Sequence, residues 1–215
     1  MSKSGIGFLF GALLFSSCQV IQPKHHKPFS GMVTYAVTYP NSSLLPSVQQ
    51  QLPKKMTIWL QWPYVKTTLQ SDYFIQHNFK NLKTKETVTY LRISGQSYKL
   101  IRHPVDAATT DSTAFVFTGK TIKIDSHTCL EAIGYPSQDT VYVAKKIPVN
   151  NLYFDHPQWA RLDRLLLDFT QNQGGIKIRY EAQQIEKKKL NPDIFRQPEG
   201  YQLIEKEKLF HLYNQ

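Results

Sequence analysis

Cysteine is almost missing from this sequence, with only Cys18 and Cys129 in a chain of 215 residues. No C-x-x-C pair occurs, which leaves no dithiol redox motif and no four-cysteine zinc ribbon. An H-E-x-x-H pair, a glycine-rich phosphate loop and a G-x-S-x-G nucleophile elbow are missing as well. The seven histidines are scattered. His127-x-Cys129 supplies two ligands where a zinc site needs three or four. No catalytic residue, metal ligand set or cofactor is assigned on this basis, and a protein without catalytic activity is expected. Acidic residues are scarce, 16 against 26 Lys and Arg, and the formal charge is +10. Also missing is a membrane-length apolar run: the stretch at residues 5–15 has eleven residues, and a bilayer core needs about 20.

What is present begins with that short run. Lys3 precedes it and Ser16-Ser17-Cys18 follow, the order of a secretory signal with a basic start, an apolar middle and small residues before the cut. The cysteine after the small residues resembles the lipobox of bacterial lipoproteins in its relaxed form, Phe15 standing three positions before Cys18 and Leu14 four. It implies removal of residues 1–17 and a diacylglycerol and an acyl chain on Cys18. Each buried methylene contributes about 0.8 kcal/mol, so two or three chains hold a protein on a membrane essentially permanently. Residues 18–30 then read as a tether, with two prolines, no hydrophobic period and Lys24-His25-His26-Lys27 close to the lipid headgroups. Gln19 is not the Asp of an inner-membrane retention signal, and no acidic run follows Cys18. The expected place is the bacterial cell envelope, on the outer membrane facing the periplasm. The mature chain keeps 198 residues and a charge of +9, enough for one core, and an exported chain meets no nucleic acid. With Cys18 acylated, Cys129 has no disulfide partner, so burial must supply the stability.

Beyond residue 30 the dominant signal is period-two alternation. Val33, Tyr35 and Val37 alternate with polar or small neighbours; so do Ile58 and Leu60, and Ile176, Ile178 and Tyr180. Similar runs lie at residues 64–69, 73–79, 87–93, 98–102, 114–117, 121–124, 128–135 and 140–145, joined by short polar turns as in an antiparallel meander. Two helices are expected, one over residues 44–52 and one over 157–166, where Trp159, Leu162, Leu165 and Leu166 recur at helical spacing. The loop at 103–112 is polar, with no period.

About ten one-sided strands must hide one apolar face, and two helices are too few to cover a broad flat sheet. The expected fold is mainly β (α+β): a single antiparallel, strongly curved sheet over residues 31–215, forming an incomplete barrel with two short helices in or over its concavity. Val33, Tyr35, Val37, Ile58, Leu60, Ile176, Ile178 and Tyr180 are the candidates to line that hollow. They would either hold an acyl chain or other apolar ligand or simply fill it, in which case the protein serves as a structural or protein-interaction module of the envelope.

Three stretches resemble a known family. Residues 119–132, GKTIKIDSHTCLEA, are similar to the K-x-I-x-G-x-x-C-x-x-A segment of the GLPGLI-type envelope proteins, with Asp125-Ser126 where the family turn carries glycine. Residues 182–185 and 194–201 resemble the family's A-x-x-I … F-x-x-P-x-G-Y ending, and residues 29–35 its first strand. The resemblance implies the concave half-barrel of the lipoprotein-sorting proteins LolA and LolB, which carry acyl chains in the hollow.

Overall fold

The alternating runs form twelve strands of one open sheet in the computed structural model, which describes residues 29–40, 44–93, 95–102, 113–149, 158–159, 162–173, 175–205 and 208. In chain order the strands are β1 (Gly31–Thr38), β2 (Lys55–Gln61), β3 (Tyr64–Gln70), β4 (Phe74–Asn81), β5 (Thr87–Ile93) and β6 (Gln96–Arg102). There follow β7 (Ala114–Ile124), β8 (His127–Tyr135), β9 (Thr140–Pro148), β10 (Arg164–Gln173), β11 (Ile176–Lys187) and β12 (Gln202–Leu203). Their spatial order is β12-β6-β5-β4-β3-β2-β1-β11-β10-β9-β8-β7. Every pairing is antiparallel except the two-residue contact of β12 with β6. The first and last long strands thus meet at the centre, where Gly31 to Thr38 run against Lys187 to Arg179. Residues 114–117 and 121–124, expected as two strands, are one strand interrupted by a bulge at which Gly119 takes a positive φ of 83°.

The two expected helices fare differently. Residues 46–51 do form α1 (Pro46–Gln51), with proline in its first turn, but it buries no residue and leaves Leu45 68% exposed. It covers no core. The helix over 157–166 is corrected: Arg164, Leu165 and Leu166 already belong to β10, and residues 158–159 make only a 3-10 turn. Leu165, Leu166 and Leu167 are all fully buried, so this strand is covered on both sides. A strand buried on both faces reads as a continuous apolar run, and a short run of that kind mimics helical spacing.

The register shows where the apolar surface lies. Val33, Tyr35 and Val37 share a face with Met56, Ile58 and Leu60 of β2, Val65 of β3, and Phe169 and Tyr180 of β10 and β11. These form the main core together with Trp159, Val141, Val143 and Ala132. Beyond β3 the apolar side changes over. Phe79 of β4 stands opposite Lys66, and Val88 opposite Phe79, which puts Phe79, Val88 and Tyr90 on the reverse face. They make a second, smaller core with Tyr201. The sheet therefore hides two apolar patches on opposite sides, where a single hollow was expected from the sequence.

At its β7 end the sheet bends sharply. The β7–β8 turn is made by Asp125 and Ser126, both at positive φ (42° and 61°), the handedness that tight hairpins favour. From that tip an Asp125 carboxylate oxygen accepts the backbone N–H of Ile185 at 2.8 Å. On a flat sheet β8 and β11 would lie about 14 Å apart. A bulge at Thr34/Tyr35 and register shifts at Leu166 and Asp168 accommodate the bend.

Candidate functional site

Six of the eight residues expected to line a hollow come together in the main core. Val33 and Tyr35 are fully buried, Ile58 is 1% exposed, Val37 and Leu60 5%, and Tyr180 7%. Ile178 packs against them half-buried, whereas Ile176, at the start of β11, is half-buried and stands outside this cluster. Cys18 lies outside the described residues.

The space these residues face is occupied by other side chains of the same chain. Phe169 stacks on Tyr180 with ring centroids 5.0 Å apart and meets Tyr35 edge-on at 6.0 Å. Trp159 meets Phe169 at 5.4 Å and stacks on Phe115 at 5.7 Å, joining rings from β10 and β7. Such pairs contribute about 0.5–1.5 kcal/mol each beyond their buried area. The Tyr35 hydroxyl donates to the Leu166 carbonyl at 2.8 Å, which satisfies the one polar atom of that side chain. Burial raises the Tyr180 phenol to about 12 and keeps it neutral. The alternation misses Trp159, Leu165, Leu167 and Phe169 as core partners of the eight: the first two fall under the expected helix, and Leu167 and Phe169 lie just past it, in a strand the period does not mark.

On the reverse side of β7–β11 runs a polar row that sequence reading missed. Glu131 accepts from the Thr118 hydroxyl at 2.9 Å and from the Tyr142 phenol at 3.0 Å, with Lys120 at 3.7 Å. These partners hold its carboxyl below the usual carboxylate range. Asp168 takes a two-pronged contact from Arg179, Nε at 2.9 Å and Nη2 at 2.6 Å, and Glu181 lies 3.3 Å from the same Nη2. Asp168 stands opposite Tyr142, which stands opposite Glu131, so the row is a cross-strand ladder. A carboxylate held ionised is a poor proton donor at neutral pH, so Glu131 is not set up as a general acid. Cys129 is fully buried, its thiol 3.3 Å from the His127 carbonyl, and burial pushes its pKa up, the reverse of a nucleophile's requirement. No cluster of three or more potential metal ligands occurs among the described residues.

Beside the second core lies a cleft of about 230 Å³ whose walls include Tyr64, Phe79, Glu86 and Phe195. It falls below the roughly 300–1,000 Å³ usual for small-molecule sites. The Tyr64 and Phe195 rings meet at 6.0 Å, and Tyr90 donates to Gln197 Oε1 at 2.7 Å, so the segment after β11 is fastened across this face. Lys66 lies between two rings, 5.3 Å from Trp59 and 5.2 Å from Phe79, and desolvation lowers its pKa. His77, 2.8 Å from the Thr68 hydroxyl, is lowered by burial and then by Lys66.

No protein-family model matches the chain, and no curated protein matches it. Among solved structures it is similar to PNGF-II in a P21 crystal form, at 15% identity and a TM-score of 0.50, over 86% of this chain and 33% of that one. The C2 form of PNGF-II gives 16% identity and a TM-score of 0.45, over 86% and 32%. This chain spans about a third of the solved chain it matches, and at such identity the P21 likeness is one of fold alone.

Proposed function

We propose that this protein is a lipid-anchored, non-catalytic module of the bacterial envelope, held by Cys18 on the outer membrane and working through its surface toward a protein partner. In this reading the bent part of the sheet is an incomplete barrel filled by its own side chains. The observation that carries it is the packing of Val33, Tyr35, Ile58 and Tyr180 into one buried cluster with Trp159, Leu165, Leu167 and Phe169. An acyl chain could enter there only by displacing several of these side chains, each worth about 1.5–3 kcal/mol when buried. The satisfied polar row and the inert Cys129 support a role without catalysis. The GLPGLI-type resemblance belongs to the reading, with the difference that the ligand-carrying use of the LolA-like hollow is set aside.

Two measurements test it. Native mass spectrometry of the chain from a lipid-replete host is expected to give the mass of the protein and its covalent anchor alone; a stoichiometric non-covalent lipid would restore the carrier role. Growth with a radiolabelled fatty acid is expected to label the native chain and leave a Cys18→Ser chain unlabelled. Label retained in the variant would remove the anchor from the proposal.

A further inference from the structure

One end of the sheet gathers the start of β1, the β2–β3 turn, the β4–β5 turn and the end of β11. The register places them there: Gly31 stands opposite both Leu60 and Lys187, Tyr64 opposite Asn81, and Lys80 opposite Thr87. Hydrogen bonds fasten the pieces. The Ser30 hydroxyl donates to the Lys188 carbonyl at 3.0 Å, and the Lys188 N–H donates to the Ser30 carbonyl at 3.1 Å. Gln61 Oε1 accepts the Leu190 N–H at 2.9 Å, and the Leu82 N–H donates to the Pro63 carbonyl at 2.9 Å.

The side chains this end shows to solvent are of two kinds. Trp62 and Tyr64 are 48% and 49% exposed, on either side of Pro63 where β2 turns into β3. Around them Lys83, Lys85, Lys187, Lys188 and Lys189 are all exposed. Nearby carboxylates are fewer: Asp125, which accepts the Ile185 N–H, Glu186, which pairs with Lys188, Asp193, which pairs with Arg196 at 3.0 Å, and Glu86. Amphipathic rings beside a surplus of ammonium groups are what settles at a membrane–water interface, the rings at headgroup depth and the cations against anionic lipid. Ser30, fastened between Gln61 and Lys188, is also where the chain arrives from Cys18. A chain anchored at Cys18 is therefore tied to the bilayer through this end.

We propose that this end is a second membrane contact, in which Lys187, Lys188, Lys189, Lys83 and Lys85 bind anionic phospholipid headgroups and Trp62 and Tyr64 enter the headgroup layer. Its orientation rests on the anchoring proposed above, while its chemistry does not. The test uses the full chain carrying Cys18→Ser, so that no acyl group contributes, floated with phosphatidylcholine vesicles with and without phosphatidylglycerol. Binding is expected only with the anionic lipid and is expected to fall with added salt. The triple variant Lys187→Gln, Lys188→Gln, Lys189→Gln should bind on the order of 100-fold more weakly, about fivefold for each lysine. A triple of equal charge at the far end of the sheet, Lys54→Gln, Lys55→Gln, Lys177→Gln, should stay within about threefold of the parent. Lipids with brominated chains should quench emission from the Cys18→Ser chain and lose that component in Trp62→Phe, a readout that needs no lysine variant to fold. Equal binding to neutral vesicles, equal loss in both triples, or no binding to either vesicle overturns the proposal. A native chain that proves unacylated overturns the anchor alone and leaves the vesicle result standing.

Discussion

At the scale of single residues, Asp125 combines the backbone conformation a turn glycine would take with a contact that glycine cannot make. It accepts a left-handed conformation, which Asp and Asn tolerate better than most side chains, and its carboxylate closes onto the Ile185 N–H. Asp125→Ala is expected to lower stability by about 1–2 kcal/mol in urea unfolding, and Asp125→Asn, which keeps an acceptor, by less than half of that. The sequence shows an Asp-Ser pair at this turn but not the partner of its carboxylate, which lies 60 positions away. Glu131 gives a pH dependence. Its folded pKa lies below its unfolded value, so its contribution is complete above pH of about 4.3 and is lost as pH falls through the folded value. Thermal melting between pH 5 and 2 should accordingly fall less steeply for Glu131→Gln than for the parent, with the difference confined to the acid side.

At the scale of elements, the strands whose two faces differ were legible and those with two similar faces were not. Gly31 to Thr38 and Ile176 to Gln183 alternate cleanly, and both lie in strands where the period puts them. Residues 164–169 carry Leu165-Leu166-Leu167 and then Phe169, Leu166 interrupting the polar side that Arg164 and Asp168 would mark, and three- and four-residue spacings arise in any such run. Substitution separates the two structures. In β10, Leu165→Ala, Leu166→Ala and Leu167→Ala should each cost about 2–5 kcal/mol, since each side chain is fully buried. A one-sided helix would leave at least one of the three cheap to remove. The candidate site was legible only as a set of inward positions. That they meet aromatic rings instead of a hollow depends on Trp159, which helical spacing claims, and on Phe169, which lies beyond the expected helix and in no expected strand.

At the scale of the whole molecule, alternation in each strand does not say which side neighbouring strands agree to bury. The changeover between β3 and β4 becomes visible only once Lys66 is set opposite Phe79, a matter of register, where a slip of one residue moves every side chain to the other face. That changeover has a consequence for how the molecule comes apart. The two cores share no buried residue, and they differ greatly in size. The smaller is fastened by Tyr201 and Gln197, from a segment that adds only two parallel residues at the edge of the sheet. Cooperative units follow contiguous burial, so the chain should contain two of them. Amide exchange is expected to show β5 and β6 opening at lower free energy than β1, β10 and β11, and Tyr201→Ala should widen that gap without changing protection at the centre. One common exchange free energy throughout would mean that β3 transmits burial from one side of the sheet to the other. Otherwise the protein is a mosaic, whose outer wing can melt and reform while its middle stays folded.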